Sequence, residues 1–554
     1  MKKIIISIAL LFIMNITGFS QHNKFSIIPK EEITVNTNTD IFITGETLYY
    51  KLNCFNKKTN TLSNISKIAY VFLINDAKEI VFEHKLKLDS GTSNGDYYIS
   101  TNLNTGNYKL VAYTRWMNNN KKNPFFSKDI YIINPFTKNI NEKSKFIKKE
   151  NSCNIVLKDK IDSILEYKTY KTRSKVSLNF KDLLKGNYSV SVRKVEEIHL
   201  IHEDTLKELD INTNNTFYLP EIRGEIISGT VTSKKDNTPI INKTVSLSIL
   251  GNKTVLKNIK TNSLGKFYFN LNENYKTGEL LIQLIDKNNE DYKITLDDFS
   301  FNYFNQLHFS NLILNPNIKK WLIQKNTNTQ IENSYFNIKK DSIINKKTPK
   351  IFYNKSSFEY VLDEYKRFST VKETFVEVIE GALIKKQKGI RKVVLLSANS
   401  KLDKIFTNLE LLILIDGIPI QKHETLIDYD PYKIEKMNFI KEPYFYGSNV
   451  YNGIINVTTI KGDFSPSTQS HYLKKNIINP VNQKKYYNPD YSNNSVKLAR
   501  IPDNRTQLLW NPNFNTSENV TFFTSDLKGM YEIVVEGYTN EDNLIKVKKY
   551  ILVE

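Results

Sequence analysis

The stretch of sequence that decides the fold most sharply is Leu412-Ile413-Leu414-Ile415-Asp416-Gly417-Ile418-Pro419-Ile420. Four consecutive aliphatic residues are typical of a buried strand. The Asp-Gly pair that follows tolerates the unusual backbone angles of a tight turn. We therefore predict a core strand that ends in a turn at Asp416 and Gly417.

Two more segments follow this strand at regular intervals. The run from Asp430 to Lys441 predicts a short helix and then a strand. A further strand with glycines in its turns is predicted from Tyr446-Gly447-Ser448-Asn449-Val450-Tyr451-Asn452-Gly453-Ile454-Ile455. In this order and spacing, residues 371–464 resemble the plug domain of TonB-dependent outer-membrane receptors. The resemblance implies structural roles for Asp416, Gly417, Pro419, Tyr446, Gly447, Asn452 and Gly453.

A receptor of that class also needs a barrel of many strands, each about 9–11 residues long. Only about 90 residues follow Phe464, so we expect no barrel. Residues 501–554 instead resemble half of a macroglobulin-type sandwich, which is too little chain for an independent core. We therefore expect them to pair with strands from before the plug-like segment, with residues 465–500 as an exposed loop or linker.

The first half of the chain has β patterning. Residues 21–135 contain about seven predicted strands with turn residues between them, which is typical of an antiparallel sandwich. Two segments resemble the opening and closing strands of the macroglobulin MG2 domain. They are Asp40-Ile41-Phe42-Ile43-Thr44-Gly45-Glu46 and Gly106-Asn107-Tyr108-Lys109-Leu110. Residues 136–222 are predicted to form a second, abbreviated sandwich.

Residues 223–304 resemble the carboxypeptidase regulatory-like domain, a small sandwich without catalytic residues of its own. The resemblance rests on Ile227-Ser228-Gly229-Thr230-Val231, Pro239 and Gly265-Lys266-Phe267-Tyr268-Phe269. Residues 305–370 form a connecting segment, in which the spacing of apolar residues from Phe358 to Phe368 predicts a helix. The predicted fold class is mainly β, a multidomain chain of antiparallel β-sandwich modules with a small α+β plug-like domain near the C-terminus.

Residues 1–20 have the form of a signal peptide, with Lys2 and Lys3 before an apolar run and cleavage predicted after Ser20. No cysteine lies near that site, so we do not expect a lipoprotein. The expected location is the periplasm or the outer membrane, with peripheral attachment. An uncleaved anchor is the alternative interpretation of this segment.

The chain has 554 residues with 78 Lys and Arg against 58 Asp and Glu, a formal charge of +20. Because the lysines are spread evenly rather than gathered with aromatic residues, the pattern argues against nucleic-acid binding. An attraction to lipopolysaccharide or acidic glycans stays open.

Residues with catalytic or metal-binding chemistry do not form a recognised pattern. His199 and His202 do not match a zinc motif, and no phosphate-binding loop or nucleophile elbow occurs. We predict no metal, no cofactor and no enzymatic activity. Cys54 is expected to be a buried, inert thiol. A bridge from Cys54 to Cys153 would stabilise the chain, but two separate thiols are the favoured interpretation.

The predicted function is that of a non-enzymatic binding or scaffold protein of the cell envelope, associated with the outer membrane. The alternative is an accessory component of a TonB-dependent nutrient uptake or outer-membrane assembly complex, with envelope proteins such as a barrel protein as partners. Aromatic loops beside the plug motifs are the candidate contact platform, since tyrosine and phenylalanine give large contact areas at low entropic cost. The residues concerned are Tyr429, Tyr432, Tyr444 and Phe445.

Overall fold

A computed structural model describes residues 29–120, 122–137, 145–146, 167–196, 217–250, 255–272, 275, 278–286, 289–310, 313–314, 318–344, 353, 358–387, 389–396, 409–447, 449–466, 472–492, 500–541 and 543–554. Within these ranges the chain is mainly β, and most of its sheets are antiparallel, so the predicted fold class is confirmed. The predicted signal peptide, His199, His202 and Cys153 lie outside the described residues. None of the described helices is long and apolar enough to span a bilayer.

The N-terminal sandwich has two sheets. One contains four strands in which β3 pairs with β1, β4 and β7, and the other has the order β2-β9-β8-β5-β6. Alternating apolar side chains from both sheets fill the core, and Glu31, Cys54 and Tyr50 are buried among them. The strands are β1 Glu31–Thr37, β2 Ile41–Ile43, β3 Thr47–Asn56, β4 Thr61–Leu62, β5 Ile68–Ile74, β6 Ile80–Lys87, β7 Thr92–Tyr98, β8 Gly106–Tyr113 and β9 Phe126–Ile133.

The next strands are β10 Lys145–Phe146, β11 Lys168–Tyr170, β12 Lys175–Leu178 and β13 Gly186–Lys194. A middle sandwich follows, with β14 Glu225–Ser233, β15 Thr244–Ile249, β16 Val255–Lys260, β17 Lys266–Leu271, β18 Glu279–Ile285 and β19 Tyr292–Leu296. Its two sheets have the orders β17-β14-β19 and β16-β15-β18. Phenylalanines of β17 and aliphatic residues of β15 and β18 meet in its core.

A connecting region leads from the middle sandwich to an α+β module. It contains β20 Ile313–Leu314, which pairs in parallel with β10, then helix α1 Lys319–Ser334 and β21 Ser342–Ile343. Helix α1 lies against Ile43 and Tyr131 of the N-terminal sandwich through Trp321 and Leu322.

The α+β module has one mixed five-stranded sheet of order β22-β27-β30-β25-β26, in which β25 and β30 run parallel. Two hairpins, β23–β24 and β28–β29, stand beside the sheet. Its elements are β22 Phe358–Val361, α2 Val371–Glu377, β23 Ala382–Gln387, β24 Ile390–Leu395, β25 Leu412–Ile415, β26 Ile418–Ile420, α3 Glu424–Ile427, β27 Ile434–Ile440, β28 Tyr444–Tyr446, β29 Asn449–Tyr451 and β30 Ile454–Thr459.

The predicted helix from Phe358 to Phe368 is wrong. Residues Phe358–Val361 form edge strand β22, which pairs antiparallel with β27, and a single 3-10 turn follows at Leu362–Glu364. Strand alternation explains the difference, because Tyr360 is buried against Phe439 while Phe358 is exposed. The apolar spacing in this segment therefore satisfies a strand face and a turn rather than one side of a helix.

A strap, residues 472–491, crosses three modules. Its first strand, β31 Tyr472–Asn476, extends the middle sandwich by pairing with β18, and Val481 then donates its amide to the carbonyl oxygen of Lys85. Its second strand, β32 Lys484–Lys485, pairs with β21. Part of the segment that the sequence predicts as an exposed loop or linker is thus bound along its backbone.

The chain returns at its C-terminal end to complete a composite sandwich. The strands are β33 Gln507–Phe514, β34 Val520–Phe523, β35 Gly529–Thr539 and β36 Leu544–Val553. They join the earlier strands in a sheet of order β11-β36-β35-β13-β33 and in a β12–β34 ladder. The expected pairing of the last strands with strands from before the plug-like segment is therefore confirmed.

Candidate functional site

The turn at Asp416 and Gly417 is a tight hairpin between β25 and β26. Both residues have positive φ, 47° and 81°, which matches a two-residue turn that follows the twist of its strands. The Asp416 carboxylate is buried and accepts hydrogen bonds from the Thr459 amide at 2.8 Å, the Thr459 hydroxyl at 2.5 Å and the Phe464 amide at 3.0 Å. Asp416 therefore fixes the end of β30 to this turn.

The outer side of the same turn lies against the middle sandwich. Ser248 Oγ donates to the carbonyl oxygen of Gly417 at 2.9 Å, and Gln283 Nε2 donates to that of Pro419 at 3.0 Å. Both donor side chains are buried, and Leu281 packs into the core of the α+β module. Buried hydrogen bonds of this kind are costly to break. The Asp416–Pro419 turn is therefore an interface between two modules, not a free surface.

The second motif forms the hairpin β28–β29 and the start of β30. Tyr446 donates its hydroxyl to the carbonyl oxygen of Leu256, and the backbone N–H of Asn452 donates to the backbone carbonyl oxygen of Glu410 at 2.9 Å. Gly453 has a φ of 129°, and a Cβ there would lie 2.5 Å from the carbonyl oxygen of Ile440. The position thus requires glycine on two grounds, conformation and space.

The four candidate contact residues are not gathered on one platform. Tyr432 is 58% exposed at the start of β27, whereas Phe445 is 73% exposed beyond its end. A seven-residue strand separates them by roughly 20 Å. Tyr429 is half-buried with its ring 5.8 Å from that of Phe464, and Tyr444 packs against a buried cluster. The four residues therefore do not form the single platform expected from the sequence. Two of them, Tyr432 and Phe445, have exposed rings that lie apart.

A buried charge cluster joins the N-terminal sandwich, the composite sandwich and helix α1. Arg193 Nη2 lies 2.9 Å from Glu46 Oε1 and 3.4 Å from Glu196 Oε1, and Lys325 Nζ lies 2.7 Å from Glu196 Oε1 and 3.3 Å from Glu46 Oε2. Burial opposes the ionised form of Glu196, but Lys325 and Arg193 outweigh it and lower the pKa of that carboxyl. Two positive and two negative groups compensate one another at this junction.

Sequence reasoning missed this cluster. Glu46 lies in the macroglobulin-like opening motif, but its partners lie 147 and 279 positions later in the chain. Neither Arg193 nor Lys325 is marked by a motif of its own. Only the fold brings these charges together.

A second buried network joins the N-terminal and middle sandwiches. Lys85 Nζ lies 2.7 Å from Glu225 Oε1, and Tyr70 donates its hydroxyl to Glu221 at 3.2 Å. Burial, partly offset by the Ile226 amide and by Arg115, raises the pKa of Glu221 to about 7. This carboxyl therefore changes its charge near neutral pH.

Two clefts lie along these junctions. A groove of about 580 Å³ between the N-terminal and composite sandwiches has a polar lining that includes Asn38, Lys128, Ser191, Trp510, Glu536 and Lys546. A cleft of about 330 Å³ lies between the N-terminal and middle sandwiches, beside Arg115 and Phe299. Arg115 Cζ lies 3.1 Å from the centre of the Phe299 ring, so stacking already occupies this guanidinium.

Groups with metal-binding or nucleophilic chemistry are scattered. No group of three or more His, Cys, Asp or Glu side chains suited to a metal ion occurs in the described part of the chain. Cys54 is a free, buried thiol, and burial together with the nearby Glu31 carboxylate raises its pKa. A thiol in this state is a poor nucleophile.

No family model and no curated protein matches the sequence. Among solved structures, the chain is similar to Salmonella alpha-2-macroglobulin reacted with methylamine, at 9% identity and a TM-score of 0.23, over 96% of this chain and 40% of that one. It is also similar to Escherichia coli alpha-2-macroglobulin activated by porcine elastase, at 10% identity and a TM-score of 0.24, over 95% and 44%. The chain thus spans about two fifths of these proteins, and likenesses this weak carry no functional inference.

Proposed function

We propose that this chain is a non-enzymatic scaffold protein of the cell envelope, associated peripherally with the outer membrane, whose modules form one body that presents binding surfaces. The observation that carries the proposal is the buried contact of the Asp416–Pro419 turn with Ser248 and Gln283. The plug-like motif is used for assembly within the chain, so the α+β module serves as a structural member of the body.

The other junctions support the same proposal. The cluster around Glu46, the network around Glu221 and the strap each connect separate modules through buried or backbone contacts. Modules joined by such contacts keep a fixed geometry, because breaking a buried polar contact costs free energy. Fixed geometry is what a scaffold requires.

Subcellular fractionation tests the location. We expect the tagged full chain in the outer-membrane fraction, released by alkaline carbonate because its attachment is peripheral. Recovery in the cytosol would contradict the proposal. A variant without residues 1–20 is the matched control and should remain in the cytosol.

A second candidate function is an accessory role in a TonB-dependent uptake or outer-membrane assembly complex. It is favoured by Phe445, whose ring is exposed on strand β28 of the β28–β29 hairpin. Affinity purification from detergent-solubilised envelopes separates the two candidates. A barrel protein recovered in stoichiometric amount supports the accessory role, and recovery of the chain alone supports the free scaffold.

A further inference from the structure

The segment that follows helix α1, residues 335–344, exposes an unusual group of apolar side chains. Phe336, Ile338, Ile343 and Ile344, here called the apolar tip, are each more than half exposed and lie within nine residues of one another. Single exposed apolar residues are common on protein surfaces, whereas four within nine residues make this segment a candidate interaction site. The tip is therefore the strongest unassigned surface among the described residues.

Two polar side chains of this segment, Lys339 and Asp341, are turned inward. Lys339 is nearly buried and its Nζ lies 2.7 Å from Glu332 Oε2 and 2.8 Å from the carbonyl oxygen of Pro502. Asp341 accepts a hydrogen bond from the Tyr487 amide at 2.9 Å. Polar side chains thus anchor the segment from inside, while the apolar ones face solvent. The exposed apolar side chains contribute no hydrophobic stabilisation to the folded chain.

The tip is also held in place by backbone contacts. Strand β21 pairs with β32 of the strap, and the Ile344 amide donates to the carbonyl oxygen of Gln483 at 2.9 Å. A contact surface that is already ordered loses little conformational entropy on binding.

Basic side chains flank the tip. Lys340 lies between its two apolar pairs, and Lys485 lies opposite Ser342 in the ladder, both exposed. We propose that the apolar tip, with Lys340 and Lys485, is a membrane-contact element that inserts into the headgroup region of an anionic lipid bilayer. Exposed Phe and Ile with flanking lysines are what interfacial binding requires, since apolar burial and attraction to anionic headgroups add.

This inference rests on the proposed peripheral membrane association and names the element that supplies it. A lipid surface fits better than a protein partner because the tip offers apolar side chains and positive charge in one small element. The large excess of Lys and Arg in the whole chain acts in the same direction.

Vesicle flotation of the purified full chain tests the inference. We expect binding to vesicles of phosphatidylethanolamine and phosphatidylglycerol (3:1) and little binding to pure phosphatidylcholine. The double variant F336S/I338S should lower partitioning at least tenfold, and I343S/I344S should act in the same way. K340Q and K485Q should each lower it about fivefold, with the effect of charge reduced at high salt.

The double variant I241S/L264S is the matched control, because it removes two exposed apolar side chains from the middle sandwich. It should bind vesicles like the unaltered chain. Circular dichroism and thermal unfolding of every variant confirm that the fold is retained, which is expected because the replaced side chains are exposed.

Two results would overturn the inference: no binding of the unaltered chain to the anionic vesicles, or unchanged binding of both tip variants. Loss of a co-purified envelope protein from the tip variants, without vesicle binding, would instead assign the tip to a protein partner. Fractionation remains independent of these results. An outer-membrane location without vesicle binding refutes the tip alone, and a cytosolic location with vesicle binding refutes the proposed function alone.

Discussion

Arg193 and Glu46 form an ion pair of 2.9 Å that joins two sandwiches from positions 147 residues apart. Both side chains are nearly buried, and Glu46 also accepts the Ile43 amide at 2.8 Å. The pair therefore lies where the turn between β2 and β3 meets β13. Its partners Glu196 and Lys325 connect it to helix α1.

Replacing Arg193 by Met should lower the free energy of unfolding by about 3–5 kcal/mol, because Glu46 and Glu196 would keep only one positive partner in a buried site. Chemical denaturation measures the change. The control is Lys57→Met, which breaks a half-exposed pair with Glu32 at 3.3 Å and should cost at most about 1 kcal/mol. Equal effects of the two substitutions would show that the buried cluster contributes no more than a surface pair.

Asp416→Ala should destabilise the α+β module by about 2–4 kcal/mol. The substitution removes the acceptor for three hydrogen bonds. It also leaves alanine at positive φ, where its side chain makes no hydrogen bond that offsets the backbone strain. Asp416→Asn should cost less, since Asn tolerates this conformation and keeps one oxygen acceptor. Thermal unfolding compares the two variants, and an Asn variant as unstable as the Ala variant would mean that charge alone matters here.

Stability should fall with rising pH because of Glu221. Its folded pKa of about 7 lies above the unfolded value near 4.3, so between these values the unfolded chain binds fewer protons. The contribution of the protonated group is complete below about pH 4 and is lost as pH rises through 7, by roughly 4 kcal/mol in total. Glu221→Gln mimics the protonated form and should remove this slope.

Denaturation curves at several pH values between 5 and 8 measure the slope. Glu32→Gln, at an exposed position of the same sandwich, is the control and should leave the slope unchanged. A Glu221→Gln variant with the original slope would assign the pH dependence to other groups.

Phe445→Ala should change the free energy of unfolding by no more than about 0.5 kcal/mol, because its ring is mainly exposed. Tyr444→Ala should destabilise the protein, since Tyr444 packs beside a buried cluster. If the hairpin contacts an envelope partner, Phe445→Ala weakens recovery of that partner in the affinity purification. Unchanged recovery would remove Phe445 as a contact residue.

The sequence predicts those parts of the fold that depend on residues close to one another in the chain. Alternating apolar residues predict the strands of the N-terminal and middle sandwiches, and the aliphatic run before Asp416 predicts β25. The need for a larger core predicts that the C-terminal strands pair with earlier ones. Each of these features depends on residues whose spacing is visible without the fold.

Other features depend on tertiary context. Helix α1 is rich in Lys, Asn and Gln and is fixed by Trp321 and Lys325, so no broad apolar stripe marks it. Strand β31 pairs through its backbone and is mostly exposed, so it lacks the alternation of a half-buried strand. Interface residues such as Ser248 and Gln283 acquire their role only when two modules meet.

The composite sandwich has a consequence for the order in which the protein can fold. Ser189 Oγ donates to the carbonyl oxygen of Glu536, 347 positions later, so β13 has neither of its sheet neighbours until the last strands are synthesised. At about 5–20 residues per second, that wait is roughly 20–70 s. During this time a strand with two open edges is exposed to aggregation. The composite sandwich therefore cannot form before the C-terminal strands are available.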